Sequence, residues 1–148
     1  MPYSHLLVPT DGSQLSDKAV QQAVALAHSL GARITFFHAQ SNFPISLVGV
    51  GELVDPNTVT ALVQAARHGA EQILAAAAAM AQAAGVVSDQ DTVVSSMPYT
   101  AIVEAAGRHG ADLIVMASHG RRGLEGVLLG SETHRVLTHS SCPVLVVR

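Results

Sequence analysis

Four short runs of mostly apolar residues recur along the chain, at residues 5–9, 34–39, 112–117 and 143–147, and a fifth, more polar run with two valines lies at 92–96. Most of them lack the alternation of polar and apolar positions that a half-exposed strand shows. This pattern is typical of strands that are buried on both faces, as in a parallel sheet. The runs therefore predict five buried strands.

Four segments between these runs have helical features. The first opens at Ser16 and closes at Gly31, a residue suited to a helix C-cap. The second follows Asp55-Pro56 and the third starts at Pro98, each with a proline suited to a first turn. The predicted helices cover residues 16–30, 56 to about 84, 98–109 and 131 to about 139. Residues 41–57 show no clear period and predict a long loop.

The strict alternation of strands and helices predicts the fold class. It is that of an α/β domain with a doubly wound, five-stranded parallel sheet and helices on both faces. The chain has 148 residues, of which 49% are hydrophobic. That length and that apolar content fit one domain spanning residues 1–148.

Charge and composition exclude several classes of function. The net charge is -3 without any basic run, which argues against a nucleic-acid partner. Aromatic residues make up only 3% of the chain, too few for a base-stacking platform. The single lysine, Lys18, lacks the flanking residues of a P-loop. The single cysteine, Cys142, excludes a disulfide framework and suits a reducing compartment.

Neither a targeting signal nor a membrane segment is expected. The first residues lack a basic stretch and soon reach Pro9 and Asp11, unlike a signal peptide. The longest apolar run, residues 73–81, is far shorter than the roughly 20 residues that cross a bilayer. We therefore expect a soluble cytoplasmic protein without a membrane partner.

A glycine-rich segment, residues 117–131, follows the fourth predicted strand. In open α/β sheets, ligands bind beyond the carboxyl ends of strands, where the winding reverses. Gly130-Ser131 opens a helix whose free N–H groups favour an anion, and His119, Arg121 and Arg122 add donors. The segment predicts a phosphate held by amides and a hydroxyl without lysine. The alternative is an ordinary surface loop followed by a serine-capped helix.

The chain resembles the universal stress protein family over essentially its whole length. The resemblance rests on five marks: Val-Pro-Thr-Asp-Gly-Ser at residues 8–13, His38, Ser-His-Gly-Arg at 118–121, Leu-Leu-Gly-Ser at 128–131, and Cys-Pro-Val-Leu-Val-Val at 142–147. It implies a Rossmann-like, HUP-like three-layer fold and a small single-domain member of the ATP-binding-motif type.

The family's ATP-binding motif is Gly, two residues, Gly, nine residues, then Gly and Ser or Thr. Gly120 and Gly130-Ser131 match its second half. Its first glycine falls on Ala117, a departure from the pattern. Alanine is small and suits a strand end unless the backbone there needs a positive φ.

The resemblance also implies a role for each site residue. Asp11 would accept hydrogen bonds from the ribose hydroxyls, and the backbone of Ala39 would meet the adenine edge. Glu132 is expected to point away from a phosphate, which its charge would repel. The walls of the nucleoside pocket would be Pro9, Thr10, Met97 and Met116; the phosphates would be flanked by Ala117, His119, Gly120 and Arg121; and the helix start would supply Gly130, Ser131, Glu132 and Thr133.

The function so implied is a stress-response module, regulatory or protective, that binds ATP or AMP, with or without Mg²⁺. The alternative is a dimeric interaction protein of the same fold that binds no nucleotide. Efficient catalysis is not expected, because no residue is an obvious base or phosphate-clamping lysine, although slow ATP hydrolysis stays open.

A homodimer is expected through the apolar terminal strand, residues 144–147, unless the chain's own helices cover that strand. Other chemistry finds little support in the sequence. The eight histidines contain no pair four residues apart, so no metal site is predicted. Cys142 is interpreted as a packed residue. Asp11, Ser13 and His119 lack a nucleophile-elbow sequence that would favour a hydrolase triad.

Overall fold

The computed structural model describes residues 2–41, 56–120 and 129–148. Within these residues, strands and helices alternate along the chain. Their bounds are β1 His5–Pro9, α1 Gln14–Leu30, β2 Arg33–Ser41, α2 Pro56–Ala83, β3 Ser88–Ser95, α3 Pro98–His109, β4 Leu113–Ala117, α4 Ser131–His139 and β5 Val144–Val147. Most of the predicted loop at 41–57 lies outside the described residues.

The five strands form one parallel sheet in the order β3-β2-β1-β4-β5. The chain winds outward from β1 through β2 to β3, then crosses back to β4 and continues to β5. The strand order therefore reverses between β1 and β4, as in doubly wound folds. The predicted fold class is confirmed.

Two apolar layers enclose the sheet, because successive residues of a strand face opposite sides. Val8 and Phe36 pack in the layer under α1 and α2, whereas Leu7 and Phe37 pack in the layer under α3 and α4. All four of these side chains are fully buried. Consecutive residues of the central strands thus support two separate cores.

Three of the turns from a helix into the next strand share one geometry. In each, a glycine with positive φ follows the helix, and the next residue's N–H bonds to a carbonyl five residues earlier, which is the Schellman motif. The glycines are Gly31, Gly85 and Gly110, and each such hydrogen bond is 2.9 Å long. The glycine-terminated helices predicted from the sequence end in this way.

Two predicted element starts are wrong by two residues or more. The first helix begins at Gln14 rather than Ser16, because the hydroxyl of Ser13 caps it by accepting the Ser16 N–H at 3.2 Å. The third strand begins at Ser88 rather than residue 92. It is an edge strand, and the exposed edge accommodates polar residues that hide the strand pattern.

No helix in the described part of the chain is long and apolar enough to cross a membrane.

Asp112 joins the amino ends of β1 and β4. Its carboxylate accepts hydrogen bonds from the backbone N–H of Ser4 at 2.8 Å, from the Ser4 hydroxyl at 2.9 Å, and from the N–H of His5 at 3.0 Å. Burial acts to raise the pKa of Asp112, but these bonds outweigh it and hold the pKa below its ordinary value.

We predict that Asp112→Asn lowers the free energy of unfolding by about 1–3 kcal/mol, since the amide NH₂ that replaces one carboxylate oxygen would face the backbone N–H of Ser4 or that of His5. The loss should be full near neutral pH. It should shrink as pH falls through the lowered pKa of Asp112, where the wild-type carboxyl loses its own charge. Urea unfolding across that pH range measures it. Asp89→Asn, an exposed carboxylate on β3, is the control and should change stability little; equal losses in both variants would contradict the prediction.

Candidate functional site

The carboxyl ends of β1 and β4 lie side by side where the strand order reverses. Two described segments leave the sheet there, residues 10–13 after β1 and residues 118–120 after β4. Helix α4 begins close to the second segment. The predicted site residues in these segments are therefore assembled at one edge of the sheet.

The turn after β1 holds Asp11 in a defined orientation. The buried Ser16 hydroxyl donates to Thr10 Oγ1 at 2.7 Å and accepts the Asp11 N–H at 3.1 Å. The N–H of Ser13 donates to Asp11 Oδ1 at 2.9 Å, and the positive φ of Gly12 lets the chain turn between them. The carboxylate is thus oriented by the start of the helix that follows it.

The other carboxylate oxygen of Asp11 lies directly against Gly120. A Cβ added to Gly120 would lie 2.5 Å from Asp11 Oδ2, closer than real side-chain atoms approach. Glycine at this position therefore allows the backbone after β4 to approach the carboxylate after β1. The residues concerned are 109 positions apart in sequence, so the contact joins the two halves of the site.

The start of α4 is attached to the end of β4 by two hydrogen bonds. The N–H of Gly130 donates to the carbonyl of Ser118 at 2.6 Å, and the buried hydroxyl of Thr133 donates to the carbonyl of Ala117 at 2.9 Å. A Cβ on Gly130 would lie 3.0 Å from the Cβ of His119. These contacts bring four of the predicted phosphate-site residues together.

The N-terminus of α4 differs from that of α1. Ser13 caps α1 with its hydroxyl, whereas Gly130 is the N-cap of α4 and supplies no side chain. The first N–H groups of a helix have no partner within it, and the helix dipole makes this end positive. The exposed Ser131 lies at the first position. The arrangement suits an anion held by backbone amides and one hydroxyl.

The carboxylate of Glu132 is hydrogen-bonded to a neighbouring helix. Its carboxylate accepts the N–H of Tyr99, the second residue of α3, at 2.9 Å and a hydrogen bond from Arg135 Nη1 at 3.1 Å. The N-cap of α3, Met97, makes no side-chain cap bond. Glu132 therefore caps α3 from outside while its own backbone belongs to the first turn of α4.

Ala117, where the motif has its first glycine, lies in β4 and is buried. Among the described residues, positive φ occurs only at glycines. The backbone at Ala117 therefore does not need glycine's conformational freedom. The departure from the motif carries no backbone strain in this chain.

The residues expected to wall a nucleoside, together with Ala39 at the adenine edge, are placed less uniformly. Pro9 and Ala39 are half-buried near the ends of β1 and β2. Met116 is only 6% exposed and packs in the core under α3 and α4, so it offers a ligand little surface. Met97 is 48% exposed and exchanges hydrogen bonds with the hydroxyl of Ser95. Arg121 lies outside the described residues.

Two residues that hold the site were not selected from the sequence for that role. Ser16 supports both Thr10 and Asp11, as described above. His38 Nδ1 donates to the carbonyl of Thr10 at 2.8 Å and so ties the end of β2 to the turn after β1. The Ser13-x-x-Ser16 spacing at a helix start is a usable signal. The contact of His38 spans 28 positions and has no local signal.

Among the described residues, no group of three or more His, Cys, Asp or Glu side chains is arranged to hold a metal ion. The assembled edge combines one oriented carboxylate, two closely packed glycines and a helix N-terminus whose N-cap residue makes no side-chain bond.

Comparison with known proteins gives consistent matches. The model of the universal stress protein family matches residues 2–148. A universal stress protein of Methanocaldococcus jannaschii is 32% identical over 146 residues, covering 99% of this chain and 82% of the relative. The solved structure of a universal stress protein family member from Burkholderia pseudomallei has a TM-score of 0.77 at 30% identity, covering 98% of this chain and 96% of its own. A universal stress protein solved in complex with cAMP has a TM-score of 0.74 at 29% identity, covering 100% and 99%.

The packing around Gly130 predicts opposite effects for two glycine substitutions. Gly130→Ala should lower the free energy of unfolding by about 1–3 kcal/mol, because the new Cβ meets the backbone of Ser118 and His119 at 3.1–3.2 Å. Gly107→Ala is the matched control, because its Cβ would meet nothing within 4 Å. Its position inside α3 should make that variant more stable, by up to about 1 kcal/mol. Urea denaturation measures both; a Gly130→Ala protein as stable as wild type would contradict the packing argument.

Proposed function

Because the chain belongs to the universal stress protein family, we propose that it is an adenine-nucleotide-binding module with a regulatory or protective role in the stress response. The observation that carries the proposal is the contact of Asp11 with Gly120, next to the N-terminus of α4, whose N-cap residue makes no side-chain bond. A carboxylate and a helix N-terminus at one sheet edge match the two polar ends of a nucleotide, the ribose hydroxyls and the phosphate.

In the proposed complex, Asp11 accepts hydrogen bonds from the ribose hydroxyls. The phosphates lie against the backbone of Gly120 and Gly130, and Ser131 donates its hydroxyl and N–H. The backbone of Ala39 meets the adenine edge, between walls that are aliphatic rather than aromatic. A relative 29% identical to this chain was solved in complex with cAMP, which supports an adenine nucleotide as the ligand class.

We propose ATP or AMP as the ligand, without an efficient hydrolytic step. Where the structure describes the chain, two acidic side chains lie near the helix start and both have other partners, since Asp11 is bonded to Ser13 and Glu132 to Tyr99 and Arg135. Mg²⁺ usually binds through one or two carboxylates together with phosphate oxygens and water. Among the described residues Asp11 would be the nearest carboxylate, and we propose that an ATP-bound ion is held mainly by phosphate. The lone Cys142 fits a reducing compartment, for which we propose the cytoplasm.

The nucleotide site predicts a loss of binding in Asp11→Ala. Isothermal titration calorimetry of the purified protein with ATP and with AMP, each with and without Mg²⁺, should detect binding at or below millimolar ligand. Asp11→Ala should weaken it by about tenfold or more, since each ribose hydrogen bond to a charged acceptor is worth about 1.5–3 kcal/mol. Gly120→Ala should weaken binding too, because the new Cβ displaces the Asp11 carboxylate.

The matched control is Asp89→Ala, which removes one carboxylate near the amino end of β3, away from the carboxyl ends of the strands. This change should leave the affinity for the nucleotide unchanged. If neither ATP nor AMP at millimolar concentration gives a heat of binding, the proposal is contradicted. An unchanged nucleotide affinity in Asp11→Ala would contradict the role of Asp11 at the ribose. Phosphate release faster than about one per second, an ordinary enzymatic rate, would make the protein an ATPase instead.

A second candidate function is that of a dimeric interaction protein of the same fold without nucleotide. The observation that favours self-association is β5, an edge strand whose four residues are all apolar. Helices α1 and α4 pack near β5, yet Leu145 remains 43% exposed. An uncharged strand edge invites pairing with another chain. We propose that two copies pair through Val144–Val147, and this dimer is compatible with either function.

The proposed dimer predicts that Leu145→Lys converts the protein to a monomer, because a charge at the edge opposes strand pairing. Multi-angle light scattering should give twice the chain mass for wild type and the single mass for Leu145→Lys. Val94→Lys, at an apolar position on the other edge strand that is 61% exposed, is the control and should remain dimeric. A wild-type protein with the mass of one chain would contradict this arrangement.

A further inference from the structure

The opposite edge of the sheet carries a buried histidine that the proposed nucleotide site does not use. His5 is the first residue of β1, the central strand, and is only 5% exposed. It is paired in register with Arg33, the first residue of β2. A titratable ring at such a position can change charge near neutral pH, inside a packed region of the fold.

The two ring nitrogens of His5 have different partners, and these define its tautomer. Nδ1 lies 3.2 Å from Arg33 Nη2, and Nε2 lies 2.7 Å from Thr35 Oγ1. A guanidinium group has only donors, so Nδ1 must accept the hydrogen bond from Arg33. The single proton of the neutral ring is therefore on Nε2, which donates to the buried Thr35.

A second proton on the ring removes this arrangement. It would place an N–H of the imidazolium against an N–H of Arg33 and bring two positive charges to 3.2 Å. Either the Arg33 side chain moves away or the ring leaves its position. The neutral ring alone satisfies both contacts.

The surrounding charges act in both directions. Burial of the ring, followed by the positive charge of Arg33 and the proximity of His109 at the end of α3, lowers the pKa of His5. Asp112 at the start of β4 and Asp89 on β3 act to raise it, but the pKa remains below its ordinary value. His109 itself is bonded to Asp91, with 2.7 Å between Nε2 and Oδ2.

His5 also lies where three strands begin. Its N–H donates to Asp112 Oδ1 at 3.0 Å, and its carbonyl accepts the N–H of Asp112 at 2.9 Å. The N–H of Arg33 donates to the carbonyl of Ser4 at 3.0 Å. A displaced ring or guanidinium therefore disturbs the first hydrogen bonds that join β1 to β2 and β4.

We infer that His5 and Arg33 form a pH-sensitive latch that is closed when the ring is neutral and opens when the ring is protonated. Opening loosens the amino edge of the sheet, where β1, β2 and β4 start, and leaves the nucleotide edge paired. The direction of the pH dependence follows from proton binding, because the unfolded chain binds the proton of His5 more readily than the folded one. The contribution of the neutral His5 ring to folding stability is therefore complete above the ordinary pKa of histidine and is lost as pH falls below it.

The first test is nuclear magnetic resonance of ¹⁵N-labelled protein near pH 7.5. The ¹⁵N shifts of His5 should show a protonated Nε2 and an unprotonated Nδ1. Protection of the Arg33 and Asp112 amides against hydrogen exchange should fall between about pH 7.5 and 5.5, while that of the Thr10 amide, bonded to Phe37 at the opposite edge, stays constant. A protonated Nδ1 at neutral pH, or amide protection that does not change with pH, would overturn the inference.

The second test compares variants by urea unfolding over the same pH range, in which aspartates stay ionised. The wild-type unfolding constant should rise by up to about tenfold for each pH unit between the ordinary pKa of histidine and the lowered one. His5→Gln cannot titrate, and Arg33→Gln removes the opposing charge, so both should show a smaller rise. His68→Gln, which removes an exposed histidine on α2, is the control and should keep the wild-type contribution of His5.

A His5→Gln protein with the same pH dependence as wild type would overturn the latch. If that variant does not fold, the exposed Arg33→Gln change decides the question: an unaltered pH dependence there would also refute it.

Discussion

Strand β1 pairs in parallel with β2 on one side and β4 on the other, and this double pairing positions the rest of the molecule. Leu6, Leu7 and Val8 are fully buried because both edges and both faces of the strand are covered. All three strands run in one direction, so their carboxyl ends meet at one edge and their amino ends at the other. The edge proposed to bind a nucleotide and the proposed His5 latch therefore lie at the two ends of the same buried strand.

Most of the fold could be predicted from the sequence, because burial on both faces leaves apolar runs and because helix ends use glycine. The errors occurred where this reasoning does not apply. The start of β3 was missed because an edge strand tolerates Asp89 and Gln90, which weaken the strand pattern. The start of α1 was misplaced because Ser13 and Ser16 both suit a cap, and only the hydrogen bond between them shows which one caps the helix.

The candidate site was predictable only in part. Motif spacing singled out Gly120 and Gly130, but the reason for glycine at residue 120 is the carboxylate of Asp11, 109 positions earlier. The cap that Glu132 provides to Tyr99 likewise depends on how α3 and α4 pack. Met116 is buried because strand parity turns it toward those helices, and parity becomes informative only when the sheet topology is known. Contacts between distant segments leave no local pattern.

The two outer strands of the sheet are chemically unlike. β3 carries two aspartates and several hydroxyl side chains along its eight residues, whereas β5 has four apolar residues. The proposed pairing through β5 would use the same edge on both copies, so the contact would be symmetrical and would cover the apolar edge of each copy. The other edge of the sheet, at β3, carries two aspartates, and these charges oppose pairing with a further chain. Association of this kind is self-limiting: it closes at two chains, whereas a sheet with two apolar edges would extend into a fibre.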